Sequence, residues 1–271
     1  VDLVLHAAAY KHVPLVEQNP IEGVSNNVIS SFAICSAVKK SHVRKVILIS
    51  SDKAVRPTNL MGASKRISEL IFQAFADENN LLFESKLSKK KIFSMVRFGN
   101  VLGSSGSVVP LFKDQIKKGG PITITHPKVT RYFMTIPEAA ELVLQSATIS
   151  KGGEIFLLDM GKPVLILDLA KQMIILSGLT ICDESNKKGD IEITYTGLRK
   201  GEKLYEELLI SGSSKPTIHP LIYSAEEDFF PVSILLPVLE ELKNSINKHN
   251  IDEMVRIISK LVPEWINKTG H

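Results

Sequence analysis

The sequence predicts an α/β protein with a doubly wound parallel sheet and a smaller mixed α/β region, and three observations support this class. Short apolar runs of strand length alternate with longer segments whose apolar residues recur every three or four positions. The run at 45–50 is rich in β-branched residues between polar boundaries, as is typical of a strand buried on both faces. The order strand, helix, strand, helix, strand favours right-handed crossovers between parallel neighbours.

The first hundred residues supply the predicted sheet. Asn19 and Pro20 form a cap and a first-turn proline for one helix, and Asn59 can cap the next. The predicted elements are, in order, a strand at 1–9, a helix at 19–41, a strand at 45–50, a helix at 59–76 and a strand at 92–98. The Ser- and Lys-rich segment 84–91 is expected to be an exposed connection.

The pattern becomes mixed after residue 107. The predicted elements are a helix at 108–118, strands at 122–125 and 130–135, a helix from Pro137, a strand at 154–158, a helix at 165–178, a strand at 191–196 and two C-terminal helices around 235–246 and 254–261. We therefore expect a sheet domain from 1–106 and 137–160, a substrate region from 107–136 and 161–225, and C-terminal helices at 226–271.

Composition limits the classes of partner. The formal charge is only +4 and the lysines lie in short scattered clusters, so a nucleic-acid surface is not predicted. Cys35 and Cys182 match no metal spacing, which indicates free thiols in a reducing, cytoplasmic compartment and no metal site. No stretch approaches the roughly 18 apolar residues of a membrane span, so no membrane segment is expected in this chain.

The most informative segment follows the strand at 45–50. Ser51, Asp52 and Lys53 come at its carboxyl end, where open α/β sheets bind their ligands. Met61 and Lys65 are four residues apart and share one face of the following helix. The alternative is an exposed Asp52–Lys53 turn pair with Met61 in the core.

Six motifs in order resemble one family, over residues 1 to about 210. They are 6–14 (HAAAYKHVP), 51–53 (SDK), 97–103 (RFGNVLG), 106–110 (GSVVP), 125–134 (THPKVTRYFM) and 198–204 (LRKGEKL). The chain is similar to the extended short-chain dehydrogenase/reductases that act on nucleotide sugars, and within them to the UDP-N-acetylglucosamine 4,6-dehydratases of polysaccharide and glycan biosynthesis. The resemblance implies a Rossmann-like sheet, NAD and a UDP-sugar substrate.

The resemblance also implies a chemical role for each residue at the strand end. NAD+ takes hydride from carbon 4 of the sugar and later returns it to carbon 6. Lys53 removes the acidified proton of carbon 5, while Asp52 protonates the departing hydroxyl of carbon 6. Lys53 must then be neutral and Asp52 protonated. We hypothesise that Ser51 hydrogen-bonds the carbon 4 hydroxyl, while Lys65 lowers the local potential for cations or holds the ribose.

Further residues acquire binding roles by the same resemblance. The cofactor would be bound by Ala7, Ala8, Asn26, Lys65 and Phe98. The substrate would be bound by Lys11, His12, Asn100, Val101, Ser107, Arg131, Arg199 and Glu202. For Arg131 and Glu202 the alternative is a surface ion pair.

One departure from the family pattern has mechanistic weight. Met61 stands where relatives commonly have Tyr, four residues before Lys65. A thioether has no ionisable proton, so Met61 cannot deprotonate the carbon 4 hydroxyl. Methionine here resembles the larger branch of the family, which is usually membrane-anchored and retains configuration at carbon 5.

The family's glycine-rich cofactor turn has no counterpart here. The nearest candidate, Gly103 to Gly106, follows a late strand and lacks the required spacing. The first strand resembles the family's fourth, so roughly 80 residues of a typical plan would be missing. The alternatives are a truncated, non-catalytic nucleotide-sugar-binding or association module and a 4-epimerase, although the adjacent Asp52 and Lys53 argue against epimerisation. A homo-oligomer is possible.

Overall fold

The computed structural model describes residues 1–86, 89–209 and 214–266, which form two compact units. The sheet unit comprises Val1–Phe98, Glu141–Asp159 and Glu207–His271. The second unit comprises Gly99–Ala140 and Met160–Glu206. Each unit has its own apolar core.

The bounds of the strands and helices are as follows. The strands are β1 (Leu3–His6), β2 (Lys45–Ile49), β3 (Ile92–Arg97), β4 (Asn100–Val101), β5 (Ile122–Ile124), β6 (Thr130–Arg131), β7 (Phe133–Met134), β8 (Ile155–Leu158), β9 (Val164–Leu165), β10 (Ile181–Cys182), β11 (Ile191–Tyr195), β12 (Lys215–Pro216) and β13 (Ile222–Ala225). The helices are α1 (Val13–Gln18), α2 (Pro20–Val24), α3 (Ser30–Lys40), α4 (Leu60–Glu84), α5 (Val108–Lys117), α6 (Ile136–Ile149), α7 (Ile166–Leu176), α8 (Val232–Asn247) and α9 (Ile251–Leu261).

The main sheet of the sheet unit has six strands in the order β1-β2-β3-β8-β13-β12. The first four are parallel, which confirms the predicted doubly wound class. The last two were missed by the sequence analysis, and both run antiparallel to their neighbours. The sheet is therefore mixed rather than purely parallel, because the chain returns from the second unit to pair β13 antiparallel with β8.

Helix α4 is the central helix of the sheet unit. Asn59 caps it as predicted, since its Oδ1 accepts a hydrogen bond from Gly62 N at 2.9 Å. The predicted end at residue 76 is wrong, because α4 continues to Glu84. The polar residues after 76 resemble a helix end, but Asn79 is buried and its Oδ1 accepts from Lys91 N at 2.7 Å.

The predicted helix at 19–41 is interrupted. A π-helical turn at Ser25–Ile29 separates α2 from α3, and the preceding helix α1 was missed. The carbonyl of Asn27 accepts hydrogen bonds from the hydroxyls of Ser31 (2.7 Å) and Ser68 (2.9 Å). These side chains satisfy a backbone group that the wide turn leaves available.

The second unit combines short strands with two amphipathic helices. Its three-stranded sheet has the order β10-β11-β5, and β4 pairs with β7 and β6 with β9. The predicted strand at 130–135 is instead two short strands with different partners. Helices α5 and α7 bury Phe112, Ala170 and Ile174 against Ile122 and Ile124.

The described ranges contain neither a candidate membrane span nor a candidate metal cluster. None of the helices there has the length and apolar character needed to span a bilayer. No group of three or more His, Cys, Asp or Glu side chains that could hold a metal ion occurs among the residues that the structure describes.

Candidate active site

A 3₁₀ turn, Asp52–Ala54, follows β2 and carries two of the four predicted catalytic residues, Asp52 and Lys53, with a third, Ser51, at its N-cap. Ser51 fixes this turn, because its Oγ accepts from Lys53 N at 3.2 Å and donates to Asp52 Oδ1 at 2.8 Å. The backbone N of Asp52 donates to the carbonyl of Phe98 at 3.1 Å. The turn is thus tied to the residue that follows β3, at the carboxyl edge of the parallel strands.

Asp52 and Lys53 form a hydrogen-bonded ion pair. Lys53 Nζ lies 2.9 Å from Asp52 Oδ1, and the two side chains are 24% and 1% exposed. The alternative of an exposed turn pair is therefore wrong for Asp52. Its other oxygen, Oδ2, is buried and has no hydrogen-bond partner in the described part of the chain. An unpartnered buried carboxylate oxygen is unfavourable, which favours a ligand hydroxyl beside it.

Lys65 lies behind this turn on α4. It is buried, and its Nζ donates to the carbonyl of Ile49 at 2.6 Å. Burial lowers the pKa of Lys65 to about 8, against the opposing charge of Glu69. Met61, one turn earlier, is 2% exposed and packs in the apolar core, as the alternative interpretation expected.

His6 is a buried titratable residue to which the sequence analysis gave no role. It ends β1, its Nε2 lies 3.1 Å from Ser31 Oγ, and its ring stacks on Phe72. Its Nδ1 is buried without a hydrogen-bond partner among the described residues. Burial, and then the charge of Lys65, lower the pKa of His6 to about 4. Its position at the end of β1 is the sequence signal that could have identified His6 as a site residue.

The residues expected to bind the cofactor lie near the same sheet edge. Ala7 and Ala8 are exposed directly after β1, and Phe98 directly follows β3. Asn26 lies in the π-helical turn, where its Nδ2 donates to Asn27 Oδ1 at 3.1 Å. Small exposed residues after one strand and a buried amine behind the next fit part of a dinucleotide site.

Two residues expected to bind substrate lie at the start of α1, in the sheet unit. Lys11 is exposed, and His12 is half-buried at the N-cap of α1. Ser51 and Lys53 lie in the same unit. Among the described residues, no side-chain hydrogen bond or ion pair of Lys11 or His12 indicates what either residue does.

The remaining substrate candidates belong to the second unit. Asn100 and Val101 form β4, opposite Phe133 and Met134. Ser107 is the N-cap of α5, and its Oγ is buried with no hydrogen-bond partner in the part of the chain described. An unpartnered hydroxyl beside the free amides of a helix start is suited to an anionic or hydroxylated ligand.

Arg131 and Glu202 bond to each other, as the alternative interpretation expected, but the pair is more buried than a surface pair. Arg131 Nη2 lies 3.1 Å from Glu202 Oε1, and the side chains are 9% and 22% exposed. Arg131 also donates to the carbonyls of Thr130 (2.7 Å) and Leu204 (3.3 Å). Arg199 has an exposed side chain, while its backbone N donates to Glu202 Oε2 at 3.1 Å.

A buried ion network behind β2 and β3 was missed by the sequence analysis. Glu69 Oε1 accepts from Ser50 Oγ at 2.6 Å and from Arg97 Nε at 2.8 Å. Arg97 Nη1 also binds Glu227 at 2.6 Å, and Arg66 Nη1 lies 3.2 Å from both carboxylates. These contacts tie the residue before Ser51 to α4, β3 and the segment after β13.

Comparison with known proteins identifies the family. Residues 1–227 match the family model described as polysaccharide biosynthesis protein. The chain belongs to this family. Over 92% of its length it is 48% identical to the capsular polysaccharide biosynthesis protein CapD of Staphylococcus aureus, and over 76% it is 55% identical to the probable polysaccharide biosynthesis protein EpsC of Bacillus subtilis. It spans only 39% and 32% of the lengths of these two relatives.

The fold comparison agrees with this assignment. The solved structure of Pen from Bacillus thuringiensis superposes with a TM-score of 0.71 at 34% identity, covering 85% of this chain and 68% of Pen. The chain thus has the Rossmann-like fold of the extended short-chain dehydrogenase/reductases. The relatives also include proteins named UDP-glucose 4-epimerase. The one from Rickettsia canadensis is 37% identical over a stretch that covers 78% of this chain and 57% of the relative's length.

Proposed function

We propose that this polysaccharide biosynthesis protein is part of an NAD-dependent nucleotide-sugar 4,6-dehydratase whose substrate is UDP-N-acetylglucosamine. The proposal is carried by the adjacent pair of Asp52 and Lys53. Asp52 is buried, one of its oxygens has no partner among the described residues, and Lys53 is hydrogen-bonded to the other oxygen. Water elimination needs an acid and a base close together, and this pair provides both. NAD, when bound, accepts hydride from carbon 4 and returns it to carbon 6.

The protonation states of the pair follow from this chemistry. Lys53, as the uncharged amine, takes the proton from carbon 5. Asp52, as the carboxylic acid, gives its proton to the hydroxyl leaving carbon 6. After elimination Lys53 is an ammonium and Asp52 a carboxylate, which is the pairing expected of the 2.9 Å contact. As hydride returns to carbon 6, Lys53 gives its proton back to carbon 5. The proton released from the carbon 4 hydroxyl during oxidation reprotonates Asp52 through the hydroxyl of Ser51, which is bonded to it, so both groups are restored for the next turnover.

Other residues of the chain would hold the substrate and the cofactor. Ser51 and the buried amine of Lys65 are our candidates for binding the carbon 4 hydroxyl, since Met61 cannot exchange a proton with it. Ser51 donates to Asp52 in the structure, so this role requires its hydroxyl to rotate toward the sugar. The cofactor would be held by Ala7, Ala8, Asn26, Lys65 and Phe98.

The nucleotide and diphosphate would be held mainly by polar groups of the second unit. Ser107 offers a hydroxyl at the start of α5 that no described residue binds, and Arg199 offers an exposed guanidinium. Arg131 is already bonded to Glu202, so its part would be to fix the position of Glu202. The remaining proposed substrate contacts are Lys11, His12, Asn100 and Val101.

Mass spectrometry of UDP-N-acetylglucosamine incubated with the full-length protein and NAD+ tests the proposal. The expected product has lost one water. Asp52→Asn and Lys53→Ala should each lower turnover by about 10²-fold or more, since each removes one proton-transfer group. The exposed ion pair Asp114–Lys118 supplies matched controls, Asp114→Asn and Lys118→Ala, which should leave turnover unchanged. Bound but unaltered UDP-sugar would overturn the proposal in favour of a non-catalytic binding module.

A 4-epimerase is the second candidate, supported by the relatives that bear that name. Epimerisation would yield a sugar of unchanged mass with inverted configuration at carbon 4. It would not depend on Asp52 or Lys53 as a proton donor and acceptor. An epimerised product from the wild-type protein and from Lys53→Ala alike would decide for this alternative.

A further inference from the structure

Gly62, the third residue of α4, lies directly against the catalytic turn. A methyl group on its Cα would lie well under 3.0 Å from the backbone oxygen of Lys53, a separation that Cβ atoms essentially never show. The carbonyl carbon of Lys53 and the Cβ of Pro57 would each lie at 3.1 Å. Only a residue without Cβ lets the helix and this carbonyl approach so closely.

Neither backbone conformation nor helix propensity explains a glycine at position 62. Its backbone is not in the left-handed region, and glycine weakens a helix relative to alanine. Gly23 of α2 is the informative contrast, because the three atoms nearest to a methyl group there all belong to the side chain of Val16, the closest at 2.6 Å. A methyl group at Gly62 would thus meet a rigid backbone carbonyl, whereas one at Gly23 would meet a side chain.

Both sides of this contact resist an added methyl group, the helix more than the turn. The backbone N of Asp52 is bonded to Phe98, and the backbone N of Lys53 to the hydroxyl of Ser51. Helix α4 cannot retreat either, because its residues from Leu60 to Ala76 are buried. A short turn yields before a packed helix of this length, so the displacement falls on residues 52–54.

We propose that Gly62 is a positioning residue that sets the backbone of Lys53 and thereby the geometry of the Asp52–Lys53 pair. This inference rests on the proposed function of that pair. A shift of about 1 Å at a reacting group can cost on the order of 10²-fold in rate. We therefore expect Gly62→Ala to slow water elimination by roughly that factor while carbon 4 oxidation, which does not use the Lys53 amine, continues.

The test follows two steps separately in the full-length protein with UDP-N-acetylglucosamine and NAD+. Absorbance of enzyme-bound NADH reports oxidation, and mass spectrometry reports loss of water. Gly62→Ala should accumulate bound NADH and lose dehydration, whereas Gly23→Ala should match the wild type in both. In a Lys53→Ala background, Gly62→Ala should change the residual rate by less than about 2-fold, because coupled residues are not additive.

A readout that does not depend on activity separates failure of this inference from failure of the proposed function. The rate of Lys53 acetylation by acetic anhydride, measured by mass spectrometry against exposed Lys118, should change in Gly62→Ala and stay unchanged in Gly23→Ala. If Gly62→Ala does not fold, the variant with Pro57→Gly added loosens the loop and is compared with Pro57→Gly alone. Wild-type labelling and turnover in the folded variant would overturn the inference.

Discussion

Replacing Glu69 by Gln should destabilise the sheet unit more than any exposed charge substitution. Glu69 is fully buried and bonded to Arg97, Arg66 and Ser50 at distances between 2.6 and 3.2 Å. The substitution preserves shape but removes one negative charge from a cluster of two arginines and two buried carboxylates. One arginine charge is then left without a buried counter-charge.

The expected loss follows from that imbalance. Removing one partner of a buried ion pair costs about 3–5 kcal/mol. Glu227 still binds Arg97 at 2.6 Å, and partly exposed Glu264 still contacts Arg66 at 3.3 Å, so we expect the lower end, about 3 kcal/mol. A domain is stable by roughly 5–15 kcal/mol, and this loss would be a large part of it.

Urea unfolding followed by tryptophan fluorescence measures the loss. Trp265 is the single tryptophan of the 271-residue chain and is 6% exposed in the sheet unit, next to Glu264. Glu78→Gln is the matched control, because Glu78 is on the same helix but pairs with Lys39 at a partly exposed site. The control should lose at most about 1 kcal/mol. A Glu69→Gln loss no larger than the control's would refute the reasoning.

Two pH dependences follow from buried bases. Burial lowers the pKa of Lys65 to about 8, so the unfolded chain binds more protons between about pH 8 and 10.4, and stability rises with pH there. Lys65→Met should remove this rise and stabilise the chain at pH 7 by at most about 3 kcal/mol. Burial lowers the pKa of His6 to about 4, so stability should fall as pH decreases from about 6.5 to 4. His6→Asn should flatten that decline in urea titrations, and an unchanged slope would contradict it.

The parts of the fold that sequence could predict are those with short-range signals. The β-branched run of β2 and the cap at Asn59 each depend on a few neighbouring residues, and both were predicted. The position of Asp52 and Lys53 after a strand was predicted for the same reason. The pairing of β13 beside β8 has no local signal, because it joins residues far apart in the chain.

Partners of buried charges were the hardest to predict. Arg97 binds Glu69 and Glu227, which are 28 and 130 positions away. In sequence, Arg66 and Glu69 resemble an exposed pair at i and i+3 on an ordinary helix. They are buried because α4 is covered on all sides from Leu60 to Ala76, so the usual polar face of a helix lies here inside the protein.

The same burial connects stability to the proposed chemistry. Within α4, Gly62 contacts the backbone of Lys53, Lys65 binds the carbonyl of Ile49, and Glu69 binds the hydroxyl of Ser50. These three residues therefore hold the chain on both sides of Ser51 and Asp52, from the end of β2 through the 3₁₀ turn. An acid–base pair must be held to within a fraction of an ångström, which requires a rigid support such as a buried helix. Because one helix fixes that whole segment, substitutions that loosen α4 should lower the rate of water elimination before they unfold the chain.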